Sequence, residues 1–146
     1  MSTGNADQKA FWETFATLWV DKQKDLDTLM EPVLAGVLDR AALGTDQRVL
    51  DIGCGTGTSS LRAAEAVGVG GHVTGADISE PMLERARALA GNMSQLLFRT
   101  TDVAEHPFVP ASYDQVISRF GVMFFADPVA AFANVLKAMR PGARRA

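Results

Sequence analysis

Val49-Leu50-Asp51-Ile52-Gly53-Cys54-Gly55-Thr56-Gly57 decides how the rest of the chain is read. A short apolar run ending in Ile52 has the texture of a buried strand. Three glycines then alternate with small residues, and Thr58 to Val67 follows as a helix closed by Gly68. Glycines between a strand and a helix let the backbone come close to a ligand at the carboxyl end of a parallel sheet.

Further along, the same alternation recurs. His72-Val73-Thr74-Gly75-Ala76 is expected to be a second strand, and Ser79 to cap a helix with Pro81 in its first turn, ending at Gly91. Gln95-Leu96-Leu97-Phe98-Arg99 reads as a third strand and Tyr113 to Ser118 as a fourth, separated by a loop marked by Pro107 and Pro110. Asp127-Pro128 opens a last helix expected to run through Met139 and to end at Pro141-Gly142. Before the glycine loop, Phe11, Trp12, Phe15, Leu18 and Trp19 recur at helical spacing. Leu29, Met30, Val33, Leu34, Val37 and Leu38 do so again, with Pro32 either starting a helix or kinking a longer one. The expected organisation is a helical segment over 1-45, serving as cap or lid, and an α/β domain over 46-146 with a doubly wound parallel sheet.

The charges near the loop bear on the ligand. No Gly-Lys-[Ser/Thr] follows, which excludes a P-loop. A nicotinamide or flavin fingerprint wants a small residue where Thr58 stands. Asp51 ends the first strand with no basic residue near the loop, so it would repel a pyrophosphate but suit a ligand bearing an ammonium and a sulfonium. S-adenosylmethionine is such a ligand. Asp77 ends the second strand, where a carboxylate accepts from ribose hydroxyls in NAD sites as well. Asp102, after the third strand, suits an adenine amino group, with the Val103 amide donating to a ring nitrogen.

As a series, Asp51 to Gly57, Gly75 to Ser79, Thr101-Asp102-Val103, Tyr113 to Phe125 and Leu136 to Gly142 resemble the motifs of class I, Rossmann-like methyltransferases. The resemblance covers about residues 46 to 143 and points toward the ubiquinone/menaquinone-methyltransferase-like group. It implies that Gly53, Gly55 and Gly57 flank the methionyl part of the cofactor, with Asp51 holding its amino group directly or through water. It implies Asp77 on the ribose, Asp102 and Val103 on the adenine, and Ile78 and Met82 packed on adenine and ribose. The Ser118 to Phe120 turn would border the methionyl group and the methyl acceptor.

The same resemblance implies three further strands, which the chain is expected to lack. Strand order would be 3-2-1-4, leaving the fourth strand as a bare edge able to pair with another copy. The implied activity is methyl transfer to a small apolar or aromatic acceptor. Other readings are a non-catalytic nucleoside-binding or interaction domain and, less favoured by Thr58 and Asp51, an NAD-dependent oxidoreductase.

Composition limits the partners. The chain has 146 residues, 47% hydrophobic and 21% charged, with a net charge of -3, which gives no footprint for nucleic acid. No apolar run has the length of a membrane span, and the lone Cys54 suits a reducing cytoplasm. Cys54 reads as loop packing, because no base stands near it. His72 and His106 read as a strand-opening and a solvated loop histidine, and no His/Cys/Asp spacing suggests a metal.

Overall fold

The computed structural model describes residues 3–146. Two helices, α1 (Thr3–Asp21) and α2 (Gln23–Ala41), precede the alternating region. Pro32 lies inside α2, so it neither starts nor ends a helix. Then follow β1 (Arg48–Ile52), α3 (Thr58–Val67), β2 (His72–Asp77), α4 (Glu80–Ala90), β3 (Leu96–Thr100) and β4 (Tyr113–Ile117). A 3-10 turn (Gly121–Phe124), α5 (Pro128–Ala138) and β5 (Met139–Arg145) complete the described residues.

The strands form one parallel sheet in the order β3-β2-β1-β4-β5. Alternation along β1 sorts the core into two layers. Val49 packs with Ala63, Ala64 and Val67 of α3 and with Ala41 of α2. Leu50 and Ile52 pack on the other face with Val116 and with Val135 of α5. Asp51 shares the period of Val49, which carries its carboxylate beneath the first turn of α3.

The fifth strand corrects the expectation of an absent one. Pro141-Gly142 reads as a helix terminator, but α5 already ends at Ala138 and the pair lies within β5. The register runs Tyr113↔Met139, then Gln115↔Arg144 and Val116↔Arg145, so an irregularity holds the extra residues, with Gly142 at φ 79°. Ala146 N donates to Val116 O and Ser118 N to Ala146 O, both at 2.9 Å. Arg140 pairs with Asp114 beside them. The outer side of β4 is therefore filled, and the expected homo-oligomer through that edge loses its basis. Hydrogen exchange is expected to find the Ser118 amide protected, and deletion of residues 139–146 to release it. Equal protection in both forms would refute the pairing.

Candidate active site

The site grows from three neighbouring strand ends. β1 runs into Gly53, which has φ 64°, a left-handed conformation that glycine adopts without strain. A Cβ at Gly53 would also lie 2.5 Å from Gly121 Cα, so loop and 3-10 turn touch through two bare backbones. At Gly57, φ 89°, a Cβ would meet Ala86 at 2.8 Å and Phe98 at 2.9 Å, which fixes how closely α4 and β3 pack on the loop.

Asp77 holds this geometry from β2. Its Oδ2 accepts from Gly55 N at 2.8 Å and its Oδ1 from Ser79 N at 2.9 Å. Burial raises its pKa while those amides oppose the rise. Asp51 is fully buried, and Ser59 and Ser60 both donate to its Oδ2 at 2.6 Å. Burial pushes its carboxyl up to about 6, against those two hydroxyls and the Arg119 charge. Its Oδ1 has no partner among the described residues. Asp102 accepts from Ala104 N at 3.0 Å through Oδ1 and from Asn5 Nδ2 at 2.5 Å through Oδ2.

These groups surround a cavity of about 320 Å³. Of the residues singled out from sequence, Gly53, Gly55, Asp77, Ile78, Met82, Asp102, Val103 and Phe120 line it. Asp51, Gly57 and Ser118 stand behind its wall. Ser118 Oγ donates to Ile52 O at 2.8 Å and accepts from Val122 N at 3.3 Å, fastening the turn to β1. Phe120 has φ 70°, a costly conformation for an aromatic residue and one that clusters at functional sites.

The N-terminal helices, expected from the sequence as a cap or lid, contribute wall residues that are not among the expected site residues. Asn5, Trp12 and Trp19 of α1 and Met30 of α2 line the cavity, and Trp12 packs edge-on against Phe124 at 5.0 Å. Arg119 lines it too. Trp12 and Trp19 were readable as an apolar stripe; Asn5 and Arg119 carried no periodic signal.

Cys54 lines the cavity, but burial drives its thiol well above the ordinary value, so it stays a neutral packing group. His106 does not line it, and its Nδ1 lies 3.0 Å from Thr101 Oγ1. Among the described residues no His/Cys/Asp/Glu group could hold a metal, and no helix is long and apolar enough to cross a membrane.

A methyltransferase domain family matches residues 49–142, and the chain belongs to that family. It is 41% identical over 103 residues to the aklanonic acid methyltransferase of a Streptomyces strain, covering 68% of this chain and 46% of that one. It is 36% identical over 98 residues to the demethylmenaquinone methyltransferase of Clavibacter sepedonicus, covering 67% and 39%. Phosphoethanolamine N-methyltransferase 2 of Haemonchus contortus, solved with S-adenosyl-L-methionine, superposes with a TM-score of 0.70 at 30% identity, covering 77% of this chain and 26% of that one. The chain spans about half the length of the curated relatives it matches.

Proposed function

We propose that the chain binds S-adenosylmethionine in this cavity and takes part in methyl transfer to a small apolar or aromatic acceptor. The observation that carries the reading is the convergence of Asp77, Asp102 and the left-handed glycine loop on one cavity. The residues fit the cofactor chemically. Its volume is at the lower end of the range for small-molecule sites. Asp77 is a ribose-type acceptor, the unpartnered Asp51 Oδ1 supplies negative charge behind the loop, and Ile78 and Met82 give apolar faces for a purine.

When bound, the cofactor supplies an already activated methyl for in-line displacement by the acceptor. The chain's own task is to bind, orient and keep water out. Asp77 fixes the nucleoside end while still bracing Gly55. Asp102 takes a donor at the adenine end, where Asn5 already shows that its Oδ2 accepts an amide N–H. Trp12, Phe120 and Phe124 form an apolar wall beside the glycine loop. Helices α1 and α2 act as the lid of the site, which suits a wall they help build.

Calorimetry with S-adenosylmethionine, S-adenosylhomocysteine, NAD and ATP tests the assignment. The adenosyl-sulfur ligands are expected to bind in preference; preferential NAD binding overturns it. Asp77→Ala is expected to weaken binding by about 1.5–3 kcal/mol, the loss typical of a hydrogen-bonded charge. Unchanged affinity would remove Asp77 from the site.

A further inference from the structure

We propose that Arg119 is the carboxylate-binding residue of the cavity, with Asp27 of α2 as its positioning residue. The backbone around Arg119 is held on both sides. Ser118 is tied to Ile52 O, Phe120 is left-handed, and Gly121 abuts β1 so closely that a Cβ there would lie 2.3 Å from Ile52 O. The Arg119 side chain is only 11% exposed and forms part of the cavity wall.

One half of the guanidinium is satisfied and the other is not. Nη2 donates to Asp27 Oδ1 at 3.1 Å. Asp27 cannot swing to take both nitrogens without giving up Thr58, whose Oγ1 donates to Asp27 Oδ2 at 2.6 Å. Nη1 is buried and has no acceptor among the described residues. An unmet buried donor is costly, more so when charged, and native proteins keep few of them. A strut between α2 and the turn would need only the Nη2 bond, so the free Nη1 has no structural use.

The guanidinium is suited to a planar oxyanion. The surroundings limit that anion to a singly charged one. Asp77 and Asp102 line the same cavity and Asp51 stands behind its wall, and a phosphate dianion would meet their combined repulsion. A carboxylate carries one charge, which Arg119 answers. It has two possible sources: the methionyl end of the cofactor, a source that rests on the function proposed above, or an acidic acceptor.

The test measures binding, not turnover. Wild-type chain is titrated with S-adenosylhomocysteine, with the same molecule capped as its carboxamide, and with benzoate added to the homocysteine-saturated chain. If the cofactor is the source, capping weakens binding about tenfold or more. Arg119→Gln then binds acid and amide alike, and Arg119→Lys recovers part of the difference. If the acceptor is the source, acid and amide bind wild type equally, and benzoate binds the loaded chain but not Arg119→Gln. Asp27→Asn is expected to reduce whichever discrimination appears, whereas a mere strut would lower the melting temperature and leave discrimination intact. Asp77→Ala should weaken acid and amide by the same factor. Equal binding of acid and amide by wild type, with no benzoate binding, overturns the proposal without needing any variant to fold. If no adenosyl ligand binds, the proposed function fails instead, and benzoate titrated into the ligand-free chain alone decides Arg119.

Discussion

Asp51→Asn is expected to stabilise the protein above about pH 6 while weakening its hold on S-adenosylmethionine. Burial raises the Asp51 carboxyl from 3.8 to about 6, so the folded chain holds this proton more tightly than the unfolded one. The favourable contribution of the protonated form is complete below the unfolded value and is lost as pH rises through about 6. Across that window the loss is about 3 kcal/mol for wild type and nothing for the variant, which does not titrate. The two proteins should therefore melt alike near pH 4. By pH 8 they should differ by roughly 5–10 °C, at a few degrees per kcal/mol for a chain of this size. Thermal melts at the two pH values check this, and a wild type whose stability does not fall over that range would contradict the burial account.

Affinity should move the opposite way. A cationic ligand favours ionised Asp51, so wild-type binding of S-adenosylmethionine strengthens as pH rises through about 6, and the variant's does not. Such a trade between stability and binding is common where a charge is buried for function. Ser59 and Ser60 keep the cost tolerable by solvating one oxygen and leaving the other unpartnered.

Strand, turn and helix signals over β1 to β4 are carried by nearest neighbours, so Asp77 and Asp102 could be set at strand ends before any pairing was known. β5 was missed because Pro141-Gly142 signals the end of a helix locally, while its strand character comes only from pairing with β4. Arg119 and Asp27 lie 92 residues apart, and Asn5 and Asp102 lie 97 apart. No periodicity links such partners; they meet because α1 and α2 fold back over the sheet's carboxyl edge. Asp51 is legible as the end of the first strand, but its burial beneath α3 needs the layer arrangement, which places it behind the cavity wall.

Gly121→Ala is the substitution expected to do the most structural damage to the site for a single added methyl. Its neighbours are backbone atoms: Ile52 O at 2.3 Å, Gly53 Cα at 2.7 Å and Ile52 C at 2.9 Å from the added Cβ. A flexible side chain could rotate away, but the end of β1 is locked in the centre of the sheet by β2 and β4. The 3-10 turn must therefore retreat, carrying Arg119, Phe120 and Phe124 with it. Overpacking of a rigid site costs about 1–3 kcal/mol, occasionally more, and this contact belongs at the upper end. The Ser118 to Ile52 bond and the Trp12 to Phe124 contact would be strained together, loosening α1 as well as the loop. Melting temperature and affinity for S-adenosylhomocysteine should both fall. Gly91→Ala serves as the comparison: a Cβ there meets nothing within 4 Å, and its φ of 57° imposes backbone strain alone. If the two variants lose the same stability and both keep full affinity, the close approach of loop and turn has no part in shaping the cavity.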